Sequence, residues 1–188
     1  MQEHRAKNVL RGDETRRRLI EIGQRLFSVQ GFAATGTEEI VAAAGVTRGA
    51  LYFHFADKSA LFAAVFEAVA REIADAIAAA SDGAPSPREA LRRGAAAYVN
   101  AAADPARRRI YLIDGPAVLG GIQWFEMENR HSRPLLMEGL TALGLPDAMA
   151  MAHLLSGAMV EAAHWQALQP DVAPRLAAAL DTILTALG

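Results

Sequence analysis

The chain has 188 residues, of which 52% are hydrophobic and 21% charged, so it has enough apolar material to bury a core and is not disordered. It has no cysteine, which excludes disulfides, thiolate zinc sites and thiol redox sensing and fits a reducing compartment. The net charge is −2, but residues 1–58 hold nine basic and seven acidic side chains (+2) and the remainder holds ten and fourteen (−4), an asymmetry that permits nucleic-acid binding by the first part.

The first 30 residues predict a tail followed by one helix. Residues up to about Asp13 are polar and charged, which is unlike a signal peptide, and are expected to form a flexible tail. Apolar residues then recur at helical spacing from about Glu14 to Gln30, and Gly31 is placed to end that helix.

Two short helices are predicted next. Thr35 and Glu38 stand three apart, which is the capping-box spacing for a helix that runs through Ala44. Gly45 ends it, and a third helix is expected from about Arg48 to Phe55. Two short helices joined by a glycine-containing turn predict a helix-turn-helix.

The rest of the chain predicts further helices. Asp57 is placed to cap a long fourth helix that reaches about Ala80, and Ser86-Pro87 is a strong start signal for a fifth that reaches about Ala103. A sixth begins at Asp104-Pro105 and is expected to break near Gly115-Pro116.

The pattern is interrupted from Leu119 to Leu143 by Gly120-Gly121 and Pro134. Pro146-Asp147 then opens a helix to about Leu168, and a last helix follows Pro174. No stretch alternates like a strand, so the expected fold class is all-α. The apolar stretch from Ala148 is interrupted by charged or polar side chains, so no membrane helix is expected and we predict a cytoplasmic protein.

Residues 31–62 read GFAATGTEEIVAAAGVTRGALYFHFADKSALF. This segment resembles the DNA-binding part of the TetR family of transcriptional regulators, densely and over the first third of the chain. The resemblance implies a helix-turn-helix head, residues 1–56, and an effector-binding and dimerising body, residues 57–188. It further implies a homodimeric repressor that binds palindromic double-stranded operator DNA and is released from it by a small molecule.

The third helix has two different sides. On a helical wheel Arg48, Gly49, Tyr52 and Phe53 share one side, and Ala50-Leu51 points the other way. Arginine pairs with guanine in the major groove, a glycine allows close approach, and hydroxyls and lysines contact phosphate. The expected DNA-contacting residues are Thr35, Thr37, Thr47, Arg48, Gly49, Tyr52, Phe53, His54 and Lys58.

Four of these assignments have structural alternatives. Thr35, together with Glu38, can serve only as a helix cap. On composition alone Tyr52 and Phe53 are better assigned to a core, and only the family resemblance reverses that. His54 lies nearer the core side of the wheel. Residues 16–18 are three arginines that resemble a nucleic-acid patch, but Arg17 also belongs to an ordinary exposed charge ladder at four-residue spacing.

The resemblance implies an effector pocket in the body, and we expect a small apolar or aromatic ligand there. Each of the apolar and aromatic candidates also has an ordinary interpretation as core packing, and the polar candidates have one as exposed residues. The candidates are Tyr98, Tyr111, Asp114, Trp124, Phe125, Met127, Met137, Met159, Glu161, His164 and Trp165.

The last two long helices are the expected dimer interface. Residues 148–168 are apolar nearly all round, Ala152, Ser156 and Gly157 allow close approach, and Leu180 and Leu184 belong to an apolar stripe on the final helix.

No metal or cofactor is expected, and no catalysis. His131 and His153 do not obviously converge with Glu161 and His164, and the chain has no Walker, GxGxxG or GxSxG motif. Two alternatives remain open. One is a constitutive DNA-binding protein of the same fold without a ligand, and the other is a helical enzyme with a coincidental helix-turn-helix.

Overall fold

A computed structural model describes residues 2–186 of the chain and the side chains of residues 11–186. Helix α1 runs from Gln2 to Gln30, so the predicted tail before Asp13 is wrong. Residues 2–13 contain no proline, and their one glycine is Gly12. Nothing in this segment therefore interrupts a helix that begins at Gln2. Within the described residues the fold is all-α, as predicted.

Helices α2 (Thr37–Ala44) and α3 (Arg48–His54) form the helix-turn-helix. Gly45 ends α2 with a φ of 63°, in the left-handed region that glycine adopts without strain. The capping-box prediction for α2 is wrong. Gly36 precedes α2 without a side-chain cap, and the buried Thr35 hydroxyl instead donates to the Gly31 carbonyl at 2.8 Å.

The next two helices begin where their capping residues predict. Asp57 accepts a hydrogen bond from the Ala60 amide at 2.7 Å and starts α4 (Lys58–Ser81). Ser86 accepts from the Glu89 amide at 3.2 Å and starts α5 (Pro87–Ala103).

No break occurs at Gly115-Pro116. Helix α6 (Pro105–Arg108) continues through a π-helical segment (Arg109–Asp114) into α7 (Gly115–Leu119), and the chain turns only at Gly120, where φ is 78°. Pro116 lies in the first turn of α7, directly after the π-helical segment, and the Tyr111 carbonyl five residues before it accepts from the Trp124 indole N–H. Gly115 is needed for close packing, since a Cβ there would lie 2.8 Å from the Phe66 ring.

The remaining helices are α8 (Gly121–Ala142), which contains Pro134, α9 (Ala148–Leu168) and α10 (Ala173–Ala186), with a short 3-10 turn before α10. None of the helices in the described part of the chain is long and apolar enough to span a membrane.

Helix α4 joins the helix-turn-helix to the rest of the molecule. Its buried Phe62 packs edge-on against Phe27 of α1, with ring centroids 5.3 Å apart. One turn later Phe66 stacks on Tyr111 of the π-helical segment, also at 5.3 Å. A single apolar core therefore extends from the first three helices into the body, with α4 at its centre.

Candidate DNA-reading surface and body cavity

Helix α3 presents a mixed basic and aromatic surface to the outside. Arg48 and Gly49 are exposed, Tyr52 is 41% exposed and Phe53 is 82% exposed, whereas Leu51 is completely buried. The Phe53 ring packs edge-on against His54, with ring centroids 5.1 Å apart, and most of its surface is open to a partner. The face predicted from the helical wheel is the face that the fold leaves open.

Arg48 has a partner on the neighbouring helix. Its Nη1 lies 3.0 Å from Glu38 Oε1 of α2, and its guanidinium lies 5.5 Å from the centre of the Tyr52 ring. Both charged side chains are mostly exposed, so their ion pair contributes little to stability. The pair holds the guanidinium on the outer face of the helix-turn-helix, where it can exchange Glu38 for a base or a phosphate.

The three predicted threonines have different positions. Thr47 caps α3 and accepts from the Ala50 amide at 3.2 Å, and Thr37 is the half-buried first residue of α2. Thr35 is only 1% exposed, so its side chain does not face outward as predicted. Its hydroxyl donates instead to the Gly31 carbonyl, within the segment between α1 and α2.

Lys58 is bound inside the head. Its Nζ donates to the carbonyls of Phe32 and Thr35 at 2.8 and 2.9 Å and lies 4.2 Å from the centre of the Phe32 ring. These contacts hold the loop before α2 in place. The sequence predicted a phosphate contact for Lys58 and did not predict this structural role. His54 is half-buried, and its imidazole lies beside Gly12 of α1.

A cavity of about 670 Å³ lies between α4, α5 and α8 in the body, with Ser156 and Met159 of α9 at its inner side. This volume lies within the usual range of about 300–1,000 Å³ for small-molecule sites. Most of its wall is apolar. Two of the predicted ligand residues, Tyr98 and Met159, line it.

Glu128 of α8 is a cavity residue that the sequence reasoning missed. It is 3% exposed, and its Oε1 accepts from the hydroxyls of Tyr98 and Tyr111 at 3.1 and 3.3 Å. Burial raises the pKa of this carboxyl, while the two tyrosine hydroxyls and the charge of Arg133 lower it, and burial dominates. The sequence did contain a signal for it. Glu128 follows Trp124 by four residues, so both lie on the same inward-facing side of α8.

The other predicted ligand residues do not line this cavity. Tyr111 and Met127 are buried in the core, and the Trp124 indole N–H donates to the Tyr111 carbonyl at 3.0 Å. Met137 is half-buried in a second apolar cluster near the α8–α9 loop. Four more of the predicted ligand residues lie at the surface. Phe125, Glu161 and Trp165 are exposed, and His164 is half-buried.

Asp114, another predicted ligand residue, instead links the body to the head. Its Oδ2 accepts from the Phe32 backbone amide at 2.8 Å. Five residues earlier, Arg109 donates from Nη1 to the Val29 carbonyl at 3.1 Å and packs against Gly31 so closely that a Cβ there would lie 2.5 Å from its Nε. Both contacts come from the π-helical segment, which is therefore joined to the end of α1.

The outer face of α9 is apolar and uncovered. Leu154 and Leu168 are 69% and 82% exposed, and the side of Gly157 has no atom within reach of an added Cβ. The two leucines predicted for the interface, Leu180 and Leu184, are instead 8% and 3% exposed because they pack inside the monomer.

Comparison with known proteins matches both parts of this architecture. A family model described as "Bacterial regulatory proteins, tetR family" matches residues 19–65, and one described as "Tetracyclin repressor-like, C-terminal domain" matches residues 88–187. The chain belongs to the TetR family of transcriptional regulators. A solved TetR-family transcriptional regulator from Pectobacterium atrosepticum is 35% identical to this chain and superposes on it with a TM-score of 0.80. The aligned region covers 95% of this chain and 96% of the other.

The curated relatives match this chain over a shorter stretch. AcrR of Shigella flexneri is 54% identical over 54 residues, which span 29% of this chain and 25% of the relative. TtgR of Pseudomonas putida is 42% identical over 69 residues, 37% of this chain and 32% of the relative. The matched part thus spans a third or less of these two relatives. The chain is a TetR-family transcriptional regulator with a DNA-binding helix-turn-helix.

Proposed function

We propose that this TetR-family regulator is a homodimeric repressor that binds a palindromic operator and is released from it by a small molecule in the body cavity. In this proposal residues 1–56 are the DNA-reading head and residues 57–188 the effector-binding and dimerising body, and the protein acts on DNA in the cytoplasm. The observation that carries it is the combination, in one chain, of an exposed basic and aromatic α3 face with an apolar cavity beside α4.

The α3 face supports the DNA-reading role. Arg48 offers a bidentate donor for guanine, and Gly49 permits close approach to the groove. Tyr52 and Phe53 add a hydroxyl and apolar surface at the same place. Two such heads reach successive major grooves when they stand roughly 34–36 Å apart.

The uncovered α9 face supports the homodimer. Leu154, Gly157 and Leu168 lie on this face. Apolar surface in contact with water costs free energy, and a second copy of the chain packed against this face buries that surface. Two helices from each protomer, α9 and α10, then form a four-helix bundle. This arrangement fixes the distance between the two heads.

The π-helical segment supports coupling of the cavity to the head. Tyr111 of this segment donates to Glu128 in the cavity wall, and Asp114 of the same segment holds the Phe32 amide in the head. A ligand that displaces the Tyr111 hydroxyl therefore moves a segment attached to the end of α1. Interrupted helices of this kind often occur at functional sites.

A constitutive regulator without an effector is the second candidate. A body packed solid favours that candidate, whereas a cavity of about 670 Å³ with a buried polar end favours a ligand-responsive one. The experiment that separates them measures operator affinity with and without compounds that raise the melting temperature of the protein. A ligand-responsive repressor loses affinity, and a constitutive regulator keeps it.

A further inference from the structure

The body cavity has a negative electrostatic character. Glu128 lies at its inner end, and the exposed Asp82 and Glu138 lie at its mouth. Among the described residues that line the cavity there is no lysine, arginine or histidine. A low-dielectric cleft lined by charges of one sign focuses their field and attracts ligands of the opposite sign.

The inner end of the cavity has two polar groups that the protein does not fully use. Glu128 is 3% exposed and takes its two hydrogen bonds on Oε1, and no residue in the described part of the chain donates to Oε2. Ser132, one turn later, is 7% exposed, and its Oγ also has no hydrogen-bond partner there. A buried polar atom without a partner, such as Ser132 Oγ, costs free energy, and Glu128 Oε2 is a further acceptor that no described residue occupies, so the two groups favour a ligand that donates hydrogen bonds.

Within residues 11–186, no cationic side chain contacts this carboxylate. Arg133 is the basic side chain whose charge acts on Glu128, but its guanidinium lies over the Phe125 ring, 4.9 Å from the ring centre. A buried carboxylate without a contacting cation is costly unless it becomes protonated or gains a cationic partner.

We infer that the effector is an amphipathic organic cation, a protonated amine whose ammonium binds Glu128 and Ser132 and whose apolar part fills the rest of the cavity. The inference rests on the proposed function, since it names the ligand class of the same cavity. Ile77, Leu91, Leu135 and Met159 supply apolar wall for the hydrocarbon part. An anionic ligand meets a like charge at the inner end, and a neutral one leaves the carboxylate without a cation.

Binding of the cation is coupled to the titration of Glu128. The groups that face this carboxyl are Tyr98 of α5 and Tyr111 of the π-helical segment, with Arg133 acting through its charge. Helix α9 contributes only Ser156 and Met159, which do not titrate, and Asp82 of α4 and Glu138 of α8 lie at the mouth. An ammonium favours the ionised carboxyl, so binding releases a proton and affinity for the cation rises with pH until Glu128 is ionised in the free protein.

The test is calorimetric titration of the full-length protein, without DNA, with three probes of equal shape: phenylbutylamine, phenylbutanol and phenylbutyrate. The wild-type protein is expected to bind the amine about tenfold or more tightly than the alcohol, because the ammonium gives the buried carboxylate a cationic partner that the alcohol cannot supply. Phenylbutyrate is expected to bind weakest. In Glu128→Gln the amine is expected to lose its advantage while affinity for the alcohol changes by less than about threefold.

The matched control is Glu126→Gln, which removes an exposed carboxylate of the same helix, α8, outside the cavity lining, and is expected to keep the wild-type ranking. The inference is overturned if the wild-type protein binds the alcohol or the carboxylate as tightly as the amine, if none of the three probes binds, or if Glu128→Gln keeps the preference for the amine. The wild-type ranking alone decides the matter if Glu128→Gln does not fold. Because no DNA is present, failure to bind an operator overturns the proposed function and leaves this ranking unaffected.

Discussion

The Asp114 carboxylate accepts a hydrogen bond from the backbone amide of Phe32 at 2.8 Å, across 82 positions in the chain. Phe32 lies in the loop before α2, and Asp114 ends the π-helical segment whose Tyr111 reaches the cavity wall. The bond thus links the loop before the helix-turn-helix to the segment that contacts the cavity wall.

Replacing Asp114 with alanine is expected to uncouple the cavity from the head. The Phe32 amide loses its acceptor, which costs about 1 kcal/mol, and the π-helical segment no longer holds the loop before α2. Operator affinity without ligand is expected to change little, whereas the loss of affinity caused by ligand shrinks. Fluorescence anisotropy with and without ligand measures both. Asp75→Ala, at an exposed position of α4, is the control, and an unchanged ligand response in Asp114→Ala contradicts the coupling role.

Arg48 and Glu38 give opposite expectations for DNA binding. Arg48→Ala is expected to weaken operator binding by about 1–3 kcal/mol, because a bidentate base contact is lost. Glu38→Gln is expected to strengthen it, since the carboxylate that holds Arg48 at 3.0 Å competes with DNA. Glu39→Gln, the adjacent carboxylate, which bonds Gln30 instead, controls for net charge. An equal gain from both glutamate variants shows that the Arg48 pairing is irrelevant.

Lys58 is expected to matter for the stability of the head. Lys58→Met leaves the carbonyls of Phe32 and Thr35 without their donor and removes the cation above the Phe32 ring. A loss of about 1–3 kcal/mol in the free energy of unfolding follows, visible as a lower Tm. Arg71→Met removes a cation from an exposed position of the same helix and is expected to cost less than about 1 kcal/mol. Equal Tm values for the two variants contradict the structural role of Lys58.

The dimer is expected to depend on Leu154 of α9. Leu154→Glu places a charge at a position that is 69% exposed in the monomer, so it leaves the monomer core intact while opposing association. Light scattering at low micromolar concentration is expected to show a monomer, with operator binding lost as well. Val29→Glu on α1, at 72% exposure, is the control and is expected to remain dimeric. A dimeric Leu154→Glu variant places the interface elsewhere.

Glu128 is expected to make the protein less stable as pH rises. Its pKa in the folded state is raised above 4.5 by burial, so its stabilising contribution is present at low pH and lost as pH rises through the raised value. Glu128→Gln lacks this titration and is expected to gain in Tm relative to wild type as pH rises from about 4 to 8. A difference in Tm that does not vary with pH contradicts a buried titrating carboxyl. Glu126→Gln, which changes an exposed carboxyl of the same helix, serves as control.

Local signals were sufficient for much of the fold. Asp57, Ser86 and Asp147 each cap the helix that they were predicted to start, because capping depends on a few neighbouring residues. The exposed face of α3 followed from helical periodicity. The predicted break at Gly115-Pro116 is wrong because Gly115 is there to pack closely against Phe66. That contact is between residues far apart in the chain, so a local sequence pattern cannot show it.

The cavity was harder to predict for the same reason. Tyr98 and Met159 were found because large apolar residues at helical spacing face inward, but that rule also selected Trp165, which is 36% exposed on α9. Glu128 was missed because a glutamate is normally exposed, and its burial depends on α5 and the π-helical segment meeting α8. Leu180 and Leu184 show that an apolar stripe identifies a buried face without saying whether the cover comes from the same chain.

The measurement that tests the account most directly is the affinity of the full-length protein for a duplex selected from random sequence, measured by anisotropy with and without a compound that raises its melting temperature. The account predicts binding of a palindromic duplex by a dimer, and an affinity that falls about 5–150-fold when the compound is bound. The account is contradicted if no duplex is selected, or if the compound binds in the cavity and leaves operator affinity unchanged.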